Sequence, residues 1–297
     1  MSKAYRVAEL DRLSPDDFAK FYIRPARPVV VRGALKKCAA LSDWTFDYLR
    51  RHAGGSKTPL KEWTASGVKI SHMPLADYLD GLELYEKRRA AGEPVGQRPL
   101  YLHDIPLTSV FRDASADLAA FPQSYFPSWY GADWPKFAQM FLGPSASLTP
   151  LHFDCLLTHN LFFQVSGRKR FTLFSHDDLQ RCYPYNWRWC RVDVENPDHE
   201  RYPLYREARG VEIVVGPGDL LYMPPGTLHH VRSLDCALSF NVDWHTKGSA
   251  LNGLLAVMRG MPLQNVYYNA LIAFGMWAGV PSKRVMPFYK SYLSYVS

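Results

Sequence analysis

Thr149-Pro150-Leu151-His152-Phe153-Asp154 is the stretch on which the reading of this chain turns. Side chains alternate along a strand, so His152 and Asp154, two apart, point to the same side, where an imidazole and a carboxylate can bind one metal. A third ligand, His229, completes two histidines and one carboxylate on one face of an octahedral ion. That set suits Fe(II) and leaves the opposite face open for an organic co-substrate and dioxygen. An isolated His-x-Asp is more simply a hydrogen-bonded pair, so its neighbours have to decide.

The turn cluster Gly216-Pro217-Gly218-Asp219 leads into apolar Leu220-Leu221-Tyr222-Met223 and a second turn at Pro224-Pro225-Gly226, with His229 close behind. Turn, short strand, turn and histidine is the pattern of a small β-barrel that brings its chain back to the metal from the far side. His230 competes with His229, but adjacent residues face opposite ways. His229 is in phase with Val231 and Ser233, whereas His230 shares its face with Arg232, expected to be solvated. The segment Asn160–Phe174 reads as a hairpin turning near Ser166-Gly167. Within it Lys169 is in phase with Phe171 and Leu173, and burying an ammonium is expensive unless an anion meets it. A dicarboxylate co-substrate would supply the anion; a lysine snorkelling to the rim is the plainer alternative.

These residues resemble the JmjC-type, cupin-like Fe(II)- and 2-oxoglutarate-dependent oxygenases, and among them the asparaginyl hydroxylase that inhibits hypoxia-inducible factor and related peptidyl hydroxylases. Residues 149–154 match the metal-binding strand. Asn160-Leu161-Phe162 with Gly167-Arg168-Lys169-Arg170 matches the co-substrate segment, and Val214–Asp219 through His229-His230 the last ligand's strand. Tyr183-Pro184-Tyr185 and Val192–Pro203 look like the insert of the asparaginyl enzyme. The resemblance implies iron ligands His152, Asp154 and His229. It further implies that Lys169, with Thr149 and Tyr101, holds the distal carboxylate of 2-oxoglutarate, with Asn160 and Asn241 lining the same pocket. Arg188, Trp189 and Arg191 of the insert are candidates for the substrate lip, and His103 and Asp243 are added to them. Two departures from the asparaginyl enzyme stand out. The interval Cys155–His159 is longer, and Asp243 replaces an aromatic, so the oxidised residue does not carry over.

The 297 residues, 47% hydrophobic and 14% aromatic, hold ample material for a buried core without a linker-like stretch. The expected fold is mainly β with flanking helices (α+β), a double-stranded β-helix or jelly roll. Residues 1–248 would form the oxygenase domain, with a buttress over 1–135 and a barrel core near 136–245. Residues 249–297 would be a helical extension. Five cysteines without disulfide-like spacing point to a reducing compartment, with Cys155 and the pair Cys182 and Cys190 as packing thiols. No leader-like run opens the sequence and none approaches the ~20 apolar residues of a membrane span, so a cytoplasmic location is expected. A net charge of +7 favours an acidic partner: a peptide, a nucleic acid or a small carboxylate.

Ser14-Pro15-Asp16-Asp17 is a helix start continuing through Phe18 and Tyr22. Arg27–Gly33 reads as a strand ending in a glycine turn, Trp44–Arg50 as a helix stopped at Gly54-Gly55, and Leu75–Ala91 as a helix with a basic, solvated end. The aromatic-rich residues 110–135 are expected as an irregular cover near the site mouth. Beyond Ser249, Leu251, Leu254, Leu255 and Met258, then Val266, Ala270, Leu271 and Phe274, recur at helical spacing. In the resembled hydroxylases such helices form a dimer interface; a flap on the chain's own barrel is the alternative.

The expected activity is hydroxylation of a peptide or protein side chain with Fe(II), 2-oxoglutarate and O2, giving succinate and CO2. Zn, Ni or Mn could replace the iron. Alternatives are a JmjC-type oxygenase on another substrate (methyl-lysine demethylation, tRNA base hydroxylation, small-molecule tailoring) or a non-catalytic cupin binding module. A binding module would be expected to lose a ligand or Lys169, and all four are present.

Overall fold

The computed structural model describes the backbone of residues 5–64 and 67–295, and the side chains of these residues except 63, 64, 67, 68 and 290–295. Near the start, Ser14 Oγ accepts the Asp17 N–H at 3.1 Å and Pro15 occupies the first turn. The α-helical geometry stops at Phe18 and widens into a π-turn over Ala19–Ile23, where one continuous helix was expected. Val29–Val31 is a wholly buried strand, and Gly33 behind it takes a positive φ of 63°, as a glycine turn requires. Thr45 caps helix α1 (Phe46–Ala53), and α2 (Leu75–Ala90) ends in the exposed Lys87-Arg88-Arg89.

The core consists of eight strands: β1 (Ala138–Gly143), β2 (Leu148–His152), β3 (His159–Ser166), β4 (Lys169–Phe174), β5 (Val211–Val215), β6 (Leu220–Met223), β7 (Leu228–Ser233) and β8 (Ala237–Trp244). One sheet runs β6-β3-β8-β1 and the other β2-β7-β4-β5, antiparallel throughout. The chain changes sheet at every connection except β4 to β5, where residues 175–210 are inserted. That is the double-stranded β-helix. Val29–Val31 extends the first sheet beyond β6, and Leu102–Pro106 extends it beyond β1.

Two sequence expectations change here. Residues 160–174 are not a hairpin, because β3 pairs with β6 and β8 while β4 pairs with β5 and β7 in the facing sheet. The turn is an arch from one sheet to the other. Gly167 makes it with φ 69°, and a Cβ there would stand 2.2 Å from the Cys236 carbonyl oxygen. The aromatic stretch 110–135 does not cover the site mouth. Phe121 and Trp134 pack against Phe163, and Phe126 against Trp244, on the outer face of the β3–β8 sheet. Burying those rings outweighs leaving them around an open mouth.

After β8, Thr246 and Ser249 form a capping box at the start of α3 (Lys247–Leu255), followed by α4 (Leu263–Ala278) and α5 (Ser282–Tyr295). The α4 helix folds onto its own barrel: Asn269 Nδ2 donates to the Leu156 carbonyl at 3.2 Å, and Asn269 Oδ1 meets His245 Nε2 at 3.0 Å. No helix among the described residues is long and apolar enough to cross a membrane.

Candidate metal centre and its cavity

β2 and β7 lie side by side with His152 directly opposite His229, and Asp154 follows just past the end of β2. Ligand atoms of the three side chains all fall within 4.8 Å of one another, with His229 Nε2 3.8 Å from Asp154 Oδ1. Donors bound at about 2.1 Å on adjacent corners of an octahedron stand about 3 Å apart, so small side-chain rotations close the set around an ion. The tautomers are already arranged. His152 Nδ1 meets the Pro150 carbonyl at 2.8 Å and His229 Nδ1 the Thr227 carbonyl at 3.1 Å, each donating its N–H and leaving Nε2 with a lone pair to offer. Asn160 Nδ2 donates to Asp154 Oδ2 at 2.9 Å and holds the carboxylate.

His230 faces the other way, as its phase predicts. That outer face is covered, not solvated: Glu195 of the insert accepts from Arg232 Nε at 3.0 Å and from Arg170 Nη2 at 2.8 Å. His230 is 3% exposed, and burial outweighs the field of Glu195 to draw its pKa down to about 4. The same insert docks on the edge of the metal strand, with Trp189 opposite His152 and their rings 4.9 Å apart.

Lys169 is 1% exposed and points inward from β4. Its Nζ donates to Tyr101 Oη at 2.8 Å and Ser239 Oγ at 2.7 Å, with the Phe141 and Phe162 rings alongside. Burial alone draws its pKa down to about 7. An ammonium held by hydroxyls in an apolar wall, on the cavity that holds the triad, suits an anionic ligand. Burial also keeps the Tyr101 phenol protonated.

One cavity is lined by the three candidate ligands together with Lys169, Thr149, Tyr101, Asn160 and Asn241. His103, Asp243, Arg188 and Trp189 line it as well. Arg191 does not: it is exposed, with its guanidinium 4.7 Å from the Tyr185 ring centroid. Arg188 and Arg191 are three apart on a two-stranded turn, which sends them to opposite sides.

Asp104, Phe141 and Phe162 also line this space and were not singled out from sequence as parts of the site, and Ser239 borders it at Lys169. Ser239 was legible as a small polar residue in phase with Asn241. Asp104 was not. The register of Leu102–Pro106 against β1 slips between Leu102 and Ile105, and Asp104 takes a φ of 61°. This bulge turns both His103 and Asp104 into the cavity, where a regular strand would send them to opposite faces. Burial pushes the Asp104 carboxyl up, but His103, Lys61 and Arg188 together bring it below its usual range. Asp243, buried and in the field of Asp154 and Asp104, is pushed well above its own.

The sequence profile of the cupin-like domain family matches residues 15–250. The chain belongs to this family. It is a family of Fe(II)- and 2-oxoglutarate-dependent oxygenases, and the two imidazoles, one carboxylate and buried lysine suit that metal, co-substrate and dioxygen. Among its cupin-like relatives, lysine-specific demethylase JMJ30 of Arabidopsis thaliana is 27% identical over 253 residues, covering 82% of this chain and 56% of the relative. tRNA wybutosine-synthesizing protein 5 of Gallus gallus is 28% identical over 261 residues, covering 81% of this chain and 77% of the relative. JmjC domain-containing protein D of Dictyostelium discoideum is 39% identical over 103 residues, covering 33% of this chain and 22% of the relative. The chain thus spans little more than half the length of the demethylase relative.

Proposed function

We propose that this protein hydroxylates a side chain of a peptide or protein, consuming 2-oxoglutarate and O2 and releasing succinate and CO2. The observation that carries the reading is the buried Lys169 ammonium in the same cavity as His152, Asp154 and His229. When bound, metal and co-substrate together supply the oxidising power. The chain's residues do the rest: the histidine Nδ1–H groups fix ring orientation, Asn160 fixes Asp154, and Lys169 and Tyr101 anchor the far carboxylate of 2-oxoglutarate beside Thr149. The aromatic walls exclude water from that contact and strengthen it.

The peptide reading is supported by the insert, similar to that of the asparaginyl hydroxylase, which sets Arg188 and Trp189 into the cavity mouth. Demethylation of a methyl-lysine by the same chemistry agrees with the names of several relatives. A second reading, oxidation of a tRNA base, is favoured by the alignment over 77% of the tRNA wybutosine-synthesizing protein and by the net charge of +7. A homodimer belongs to the same proposal, through the C-terminal helices that leave Met258, Leu263, Phe274 and Trp277 exposed.

The test is anaerobic titration with Fe(II) and 2-oxoglutarate, watching the visible charge-transfer band. Succinate release on admitting oxygen is then compared with peptide pools and with tRNA. Stimulation by tRNA alone would overturn the peptide reading, and turnover by His152→Ala or Asp154→Ala would overturn the ligand assignment. Losing a charge-assisted hydrogen bond of about 1.5–3 kcal/mol, Lys169→Ala should weaken 2-oxoglutarate binding by about 10- to 150-fold.

A further inference from the structure

We propose that Asn269 and Trp187 are positioning residues for Asp154, gripping from two sides the turn that carries this carboxylate. The inference rests on the metal reading of the site and deepens it. Asp154 lies past the end of β2, where the ladder to β7 has stopped at His152. Its backbone is set instead by a turn that it opens itself: the Leu157 N–H donates to the Asp154 carbonyl at 2.9 Å, and Leu157 takes a left-handed φ of 55°. A leucine keeps that conformation only where its surroundings impose it.

The two residues inside the turn, both buried, have their carbonyls held by side chains from outside the barrel. The Cys155 carbonyl accepts the Trp187 Nε1–H at 2.9 Å, from the insert, whose indole meets the Phe153 ring edge-on. Asn265 Nδ2 of α4 approaches the same oxygen at 3.5 Å. One turn further along α4, Asn269 Nδ2 donates to the Leu156 carbonyl at 3.2 Å. Asn269 is fixed at its other end as well: His245 Nε2 meets its Oδ1 at 3.0 Å, while His245 Nδ1 faces Ser249 Oγ at 3.1 Å, within the capping box of α3. Gly253 of α3 makes room for it, since a Cβ there would stand 2.3 Å from Asn269 Nδ2. Buried carbonyls need donors anywhere in a protein, but these two sit one and two residues from a candidate ligand, so whatever shifts them shifts Asp154. Ligand sets have to be held to within about 0.5 Å, and Asn160 steadies only the Oδ2 end of this one. Asn269 also lies beyond residues 15–250, so this support comes from a part of the chain that the family profile does not cover.

The test uses the full chain with Co(II) alone as the probe, its affinity read against a competing chelator and its visible ligand-field spectrum recorded at saturation. Asn269→Asp keeps an oxygen for the His245 Nε2–H and removes only the N–H that reaches Leu156. Trp187→Phe keeps a ring against Phe153 and removes only the Nε1–H. Each should weaken Co(II) binding by about 10- to 100-fold and change the band intensity. 2-Oxoglutarate binding to the cobalt-saturated variants should stay near wild type, because Lys169 and Tyr101 are untouched. Gly275→Ala is the control: its Cβ would stand 2.7 Å from the Trp129 ring, loosening the same helix away from the turn. It should lower the thermal midpoint and leave Co(II) affinity at the wild-type value. Wild-type affinity in Asn269→Asp overturns the proposal for α4, and in Trp187→Phe for the insert. If Gly275→Ala weakens Co(II) as much as they do at a matched loss of thermal midpoint, both side chains serve only the fold, and the proposal is overturned. Equal binding by all four proteins removes the positioning role and leaves the metal reading standing, whereas a wild type that does not bind Co(II) removes both.

Discussion

Lys169 sits as an ammonium among Tyr101, Phe141 and Phe162, its Nζ donating to the hydroxyls of Tyr101 and Ser239, so the folded protein binds its proton less tightly than the unfolded chain does. Its folded pKa is about 7, against an ordinary lysine value near ~10.4. Between these values the unfolded state holds more protons, and stability without co-substrate therefore rises with pH across that window. Lys169→Met should remove this slope and stabilise the protein at pH 7 by about 1–4 kcal/mol, while weakening 2-oxoglutarate binding as Lys169→Ala does. Unfolding free energies that rise equally with pH between 7 and 10 in the two proteins, measured by urea titration, would contradict it. Histidines bound the other end of the range. Burial draws His245, held by Ser249 and Asn269, down to about 4. A histidine with a depressed folded pKa lends its stability above the unfolded value near ~6.5 and loses it as pH falls toward 4, by about 3 kcal/mol. Urea midpoints of wild type should drop over that interval more steeply than those of His245→Gln.

At the scale of elements, the period of two in residues 149–154 and the phase of His229 against Val231 were enough to anticipate that His152, Asp154 and His229 come together, because both are local properties of strands. Lys169 was legible for the same reason. Which strand pairs with which was not. A hairpin and an arch share the same sequence signature, apolar runs around a glycine, and differ only in whether the second run turns back beside the first or crosses to the facing sheet. Asp104 escaped because a bulge breaks the alternation from which facing is deduced, and Arg191 was misplaced by treating an irregular insert as one lip. The arch makes its own prediction. Gly167→Ala combines a left-handed backbone penalty of about 1–2 kcal/mol with a Cβ 2.2 Å from the Cys236 carbonyl oxygen. Its thermal midpoint should fall by more than that of Gly55→Ala, where a Cβ meets nothing within 4 Å.

Across the whole molecule, apolar surface is unevenly spread: Met258 (77% exposed), Leu263 (76%), Phe274 (62%) and Trp277 (61%) all belong to the segment after the barrel. Such a concentration marks an interaction face rather than scattered surface residues. If a second copy covers it, sedimentation velocity will give twice the chain mass of 34.0 kDa, and Phe274→Asp with Leu263→Asp will return the monomer. A monomeric wild type at micromolar concentration would remove the dimer.

β8 is the last barrel strand in the chain, yet it is inserted between β3 and β1, bonded to both. During synthesis, then, the two earlier strands wait with open edges until residue 244 has left the ribosome. A nascent chain halted before that point would hold all three candidate ligands but no closed wall opposite them. Such fragments would expose unpaired strand edges and apolar surface, so the cavity around the candidate ligands forms only once β8 is in place.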